Sequence, residues 1–166
     1  SYISSSEITQ EWMDSTETAY GLMNDLISEA NTLMLAGLSD TVSADERVND
    51  YAVQIEGILE QAVAIANTSY DDKYLFSGYQ LNTKPFSIVT TDTTDPDTGE
   101  TTTVTTVEYA GDDGQMTREL SPGVTVTLNS DGEASFNDFF NALILAKEGL
   151  ETDDSTKMNT ALANLT

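Results

Sequence analysis

The chain of 166 residues carries 29 acidic and 6 basic side chains, a net charge of −23, and has neither cysteine nor histidine. A surface so poor in Lys and Arg repels phosphate backbones and anionic lipid, which sets nucleic acid and membrane aside as partners. Without thiols there is no disulfide framework and no Cys-type zinc site, and without imidazole the commonest general base near neutral pH is missing. No apolar run approaches the ~20 residues of a membrane span.

The first residues, Ser1-Tyr2-Ile3-Ser4-Ser5-Ser6, show no basic region followed by an apolar stretch, and the chain stops inside a helical pattern. A fragment trimmed at both ends is the expectation. From about Ser5 to Leu38, apolar residues recur in steps of three and four. Ile8, Trp12, Ala19, Leu22, Leu26 and Leu33, with Met23, Ile27, Ala30 and Met34 beside them, predict one long amphipathic helix. Gly37 and the polar Ser39-Asp40-Thr41 supply its stop. Ser43-Ala44-Asp45-Glu46 reads as a capping box opening a second helix, whose face is Val48, Tyr51, Ile55, Ile58, Leu59, Ala62 and Ile65. That helix is expected to end near Asn67 or Ser69. Two long helices with a short polar connection pack antiparallel.

From about Tyr74 the period changes. Pro85 blocks a helix, Phe86-Ser87-Ile88-Val89 alternates, and the Thr-rich run Thr90–Thr106 is interrupted by the turn residues Asp95-Pro96-Asp97-Thr98-Gly99-Glu100. Thr102–Tyr109 and Gly123–Leu128 are further predicted strands, and Asn129-Ser130-Asp131-Gly132 a closing turn. Ser135 is a plausible cap for a helix faced by Phe136, Phe139, Phe140, Leu143, Ile144 and Ala146 up to Gly149. Asp153-Asp154-Ser155 starts another, with Met158, Ala161, Leu162 and Leu165 on one side. The fold class expected is α+β: an elongated antiparallel helical rod from 1–80 and 135–166, with a small β subdomain inserted at 81–134.

Two stretches carry a resemblance. Asn67-Thr-Ser-Tyr-Asp-Asp-Lys-Tyr74-Leu75-Phe76-Ser-Gly78-Tyr continues to Thr83-Lys84-Pro85-Phe86. Tyr109-Ala-Gly111-Asp112-Asp113-Gly114 is followed by a Val-rich strand, a turn at Gly132 and Phe136. Together they resemble the flagellar hook-associated protein 3 (FlgL) family of hook–filament junction proteins, in the family's order and over most of the chain. Asp72-Lys73 stands where the family often has Gly, so a left-handed backbone is not expected there. The terminal coiled-coil segments of the family are absent from the sequence.

The resemblance implies a structural part of the bacterial flagellum, extracellular and exported through the flagellar type III apparatus. It implies partners: copies of itself in a tubular ring, the first hook-associated protein (FlgK), flagellin and an export chaperone. The residues themselves show no catalytic constellation, and no enzyme activity, cofactor or metal is expected. A rod packing side by side, with the β subdomain projecting outward between two lattices, is the mechanical reading, and this fragment alone is expected to be monomeric. A flagellin subunit, or in another class a secreted adhesin or glycan-binding module, are the alternative readings.

Other residues have plainer readings. Tyr74 to Tyr79 serves better as a cover for the helical hairpin than as a docking strip. Asp92, Asp95, Asp97 and Glu100 lack the alternation of a calcium loop and read as a solvated turn, as does Asp112-Asp113-Gly114. Trp12, on the helical stripe, reads as core. Thr residues on the strands suit an exposed face or surface glycosylation equally.

Overall fold

A computed structural model describes residues 2–128 and 132–166. The Asn129-Ser130-Asp131 part of the expected closing turn lies outside the described residues. The helices are α1 (Tyr2–Gly37), α2 (Ala44–Glu46), α3 (Ala52–Ala66), α4 (Gly132–Glu151) and α5 (Ser155–Asn164), with a π-helical turn, Arg47–Tyr51, joining α2 to α3. The strands are β1 (Ser69–Tyr70), β2 (Lys73–Tyr74), β3 (Phe86–Thr94), β4 (Thr101–Tyr109), β5 (Thr117–Ser121) and β6 (Val124–Thr127). They pair only with their sequence neighbours, as three antiparallel two-stranded ladders among the described residues. The class is α+β.

A single apolar core runs from Trp12 on α1 to Leu165 beyond α5 and takes in Phe86 and Leu128 from the β segments. The centre of the α1 stripe differs from the predicted one. Ile8 and Leu22 are 47% and 48% exposed, whereas Thr9, Met23, Ala30 and Met34 are buried. An apolar stripe marks a face about 100° wide, and its flanking members stay outside when the neighbouring helices cover only its middle.

The second helix starts as expected at Ser43, whose hydroxyl accepts the Glu46 N–H at 3.2 Å. Four residues after that start, at Arg47, the π turn inserts one extra residue, rotating the residues before Ala52 relative to those after it. Val48 is therefore exposed, and Tyr51 only half-buried. Arg47 turns inward instead. Its guanidinium donates to the carbonyls of Gly37 (2.9 Å) and Ser39 (3.0 Å) and pairs with Asp153 (3.0 Å). One cation thus satisfies carbonyls at the negative end of α1 and ties them to the turn between α4 and α5.

Ser135 is not a helix cap: α4 already begins at Gly132, and the Ser135 hydroxyl lies 3.2 Å from that of Tyr20. Asp154 does cap α5, accepting the N–H groups of Thr156 and Lys157. The long hairpin is in register from Phe86↔Tyr109 to Thr94↔Thr101. It does not stand away from the rod. Residues Thr102 to Thr105 of β4 lie over Ile144, Lys147 and Thr152 of α4 and the turn after it, leaving a cleft of about 180 Å³ between strand and helix.

Candidate functional site: a loop hub closing the core

The residues that carried the family resemblance converge where α3, α4 and the base of the long hairpin meet. Asn67 ends α3, and its side-chain amide then behaves as a strand. Its Oδ1 accepts the Phe86 N–H at 2.9 Å, and its Nδ2 donates to the Phe86 carbonyl at 3.0 Å. A helix terminus is thereby bonded to the first residue of β3, nineteen positions on. Pro85 is buried beside it, and its carbonyl accepts the Ala110 N–H at 2.8 Å.

Between Asn67 and Pro85 the chain makes a small hairpin and a buried loop. Asp71 and Asp72 have φ of 49° and 61°, the two left-handed residues of a type I′ turn between β1 and β2. A left-handed backbone is present at Asp72, contrary to expectation, because Asp tolerates the conformation that the family meets with Gly. Tyr74, half-buried, donates its N–H to Leu81. Leu75 and Phe76 are 0% exposed. Phe76 meets Phe136 edge-on at 4.7 Å and Tyr20 at 5.5 Å, while Phe86 meets Phe140 at 5.2 Å and Tyr109 at 5.1 Å. Within Tyr74–Tyr79 only Tyr79 is broadly exposed, at 59%. The cover reading therefore holds for the apolar residues.

Asp112 organises the polar half. Its Oδ1 accepts the N–H groups of Tyr79 (2.7 Å) and Gly114 (2.9 Å), and its Oδ2 faces the Gln80 amide at 3.4 Å. The backbone N–H of Tyr79 first, then that of Gly114, holds the carboxyl below the ordinary carboxylate range. The Tyr109 hydroxyl reaches the carbonyls of Phe76 (3.1 Å) and Asp112 (2.7 Å). Gly111 sits beneath that hydroxyl, and Gly114 against the Tyr79 ring. Gly78 has φ of +65°, and a methyl there would overlap the Asp112 carboxylate and carbonyl. At Gly132 it would overlap the Phe76 carbonyl and come within 2.9 Å of the Phe86 ring.

The hub is chemically spent on holding chain to chain. Its carboxylate and hydroxyl face backbone groups, and Asp112 is tuned to stay an acceptor. No group of three or more acidic side chains is placed to hold a metal ion among the described residues. In the predicted solvated turn, Asp95 accepts the N–H groups of Asp97 (2.7 Å) and Thr98 (3.3 Å), which also lower its pKa.

Residues outside the motif complete the arrangement. Trp12, 7% exposed, donates its indole N–H to the Leu128 carbonyl at 2.6 Å and meets Tyr70 edge-on. Tyr70 in turn bonds Glu11, whose carboxylate raises the pKa of the phenol. Tyr20, outside the predicted α1 stripe, packs its ring against Phe76 and Phe136. Nothing in the sequence marked Arg47, because its partners are backbone carbonyls and a residue 106 positions away.

No family model matches the chain, and no curated protein does. Solved structures do. FlgL from Bacillus cereus aligns over 95% of this chain and 69% of its own length, with 20% identity and a TM-score of 0.74. FlgL from Xanthomonas campestris aligns over 80% of this chain and 38% of its own, again with 20% identity, at a TM-score of 0.64. The chain spans little more than a third of the Xanthomonas protein. The likeness establishes a shared fold.

Proposed function

We propose that this chain is the central folded segment of a hook–filament junction protein, an extracellular structural component of the bacterial flagellum rather than an enzyme. The observation that carries the reading is the loop hub. The two motif stretches, 67–86 and 109–114, are joined through Asn67, Tyr109 and Asp112 into one bonded unit, within a fold that superposes on FlgL at a TM-score of 0.74. The role is mechanical. The rod supplies stiffness, and the hub locks the β segments to it so that load on the hairpin passes into α3 and α4. In the assembled organelle the parent protein packs with copies of itself in a ring, between the first hook-associated protein and flagellin, after type III export with a chaperone. The division into a rod, 1–80 with 135–166, and a β insertion, 81–134, belongs to the same proposal.

Deletion of the parent gene tests it. Electron microscopy is expected to show hooks without filaments, with unpolymerised flagellin in the medium, and full-length protein supplied in trans restores filaments. Normal filaments in the deletion strain exclude the junction role.

A further inference from the structure

Val48 stands four residues before Ala52 and seven before Ile55, and both of these are buried. In an uninterrupted α-helix such positions share one face, so the period of the second helix allots Val48 to the core side. The structure instead leaves Val48 39% exposed. The π turn is the reason. The Ala52 N–H donates to the carbonyl of Arg47, five residues back, where an α-helix would use that of Val48. Arg47 thereby takes the inward place, with its side chain only 13% exposed. An apolar residue faces water while a cation faces inward.

The groups that hold this register lie outside the second helix. The Arg47 guanidinium donates to the Gly37 and Ser39 carbonyls at the end of α1 and pairs with Asp153 in the turn after α4. Gly37 is buried, so its carbonyl depends on a protein donor. We propose that residues 44–51 form a one-residue register switch latched by Arg47. With the latch closed, the segment carries the π turn and Arg47 points in. When the end of α1 and the turn after α4 move apart, the guanidinium loses its acceptors and the segment slips into plain α-helix. The Ala52 N–H then bonds the Val48 carbonyl. A slip of one residue turns the segment by about 100° and shifts it by about 1.5 Å along its axis. Val48 enters the inward place, Arg47 swings out to water, and neither long helix unfolds. The two packings are discrete, because the inward place holds one side chain or the other.

The test reads the Ala52 hydrogen bond directly, through the scalar coupling that crosses it in the isotope-labelled whole chain. In the parent the coupled carbonyl is expected to be that of Arg47. Arg47→Glu sets a carboxylate against two carbonyls and Asp153, drives the side chain outward and should move the coupling to residue 48. A second variant moves the latch without removing it. Arg47→Ala with Val48→Arg puts a guanidinium where plain α-helix points inward. Its coupling is expected at residue 48, with a higher melting temperature than Arg47→Glu. Val48→Cys supplies an independent readout, being the only thiol in a chain without native cysteine. Adding Arg47→Glu should slow its alkylation at least about tenfold, because residue 48 becomes covered. A coupling that stays on the residue-47 carbonyl in either variant overturns the proposal and leaves the turn to Tyr51, packed against Gly37. Loss of every coupling from Ala52, or an unslowed thiol, overturns it equally, since the segment then frays without adopting a second register.

Discussion

Gly78 carries two constraints that act together, a left-handed φ of +65° and the Asp112 carboxylate lying where a methyl would go. The backbone term alone costs about 1 kcal/mol for an L side chain, and the displaced Asp112 would release the N–H groups of Tyr79 and Gly114 as well. Gly78→Ala is therefore expected to lose roughly 2–4 kcal/mol in urea melts. Gly21, in the middle of α1 with nothing near its missing Cβ, is the opposite case. Gly21→Ala should gain about 0.5–1 kcal/mol, and a similar loss at both glycines would refute the local account. Asp112 adds a pH signature. Because its folded pKa is depressed from 3.8, its contribution is fully present above that value and disappears as pH falls through the folded one. Asp112→Asn keeps one acceptor oxygen without the titration. Its melting temperature should consequently fall less steeply than that of the parent chain in the acid range. Parallel curves would mean that the carboxylate charge is immaterial.

Among the elements, the junction of α2 and α3 shows best how a local signal and a distant partner divide the work. Ser43 and Glu46 announce the helix start in four letters, and the structure keeps it. The π turn has no such signal. It arises from Arg47 reaching carbonyls on α1 and Asp153 after α4, which is a tertiary cause invisible to helical periodicity. Arg47→Met leaves these carbonyls without their donor in a site where the side chain is 13% exposed, and is expected to cost roughly 2–3 kcal/mol by chemical denaturation. Arg47→Lys should recover little, since three acceptors in a fork match a guanidinium and not a single ammonium. Full recovery by Lys would show that charge alone suffices. The β1–β2 turn is the complementary lesson. Its Asp71-Asp72 pair is not among the turns predicted from the sequence, and the missing Gly pointed away from a left-handed backbone there. Asp71→Asn with Asp72→Gly should raise stability by roughly 0.5–1 kcal/mol, read as a higher melting temperature, because the type I′ geometry is retained and its strain relieved. Likewise the aromatic face Phe136, Phe139 and Phe140 was legible as a helix stripe, whereas Ser135 is a misleading cap signal, because the helix starts three residues earlier.

At the scale of the whole molecule, periodicity was enough to place the long helices and strands β3, β4 and β6, since three- and four-residue steps and two-residue alternation each state which face is buried, whereas β1, β2 and β5 were not predicted. The path of the β3–β4 hairpin was not legible. Half of its strand residues are Thr and most of them are exposed, a face that fits any direction, and only packing on α4 decides that it lies along the rod. Charge is the remaining global term. With 29 acids against 6 basic residues, the folded chain holds like charges closer together than the unfolded chain does, so repulsion opposes folding. Screening should relieve it. Moving from about 0.01 M to about 0.1 M salt shortens the Debye length from about 30 Å to about 10 Å. The melting temperature at neutral pH is therefore expected to rise, by about 2–4 °C for each kcal/mol of repulsion removed. The rise should shrink near pH 4, where many carboxylates are already protonated. The same repulsion keeps separate copies apart, so sedimentation at low salt should show a monomer. A melting temperature indifferent to salt, together with a tight oligomer at low salt, would mean that the acidic surface is neutralised by contacts between copies rather than by solvent.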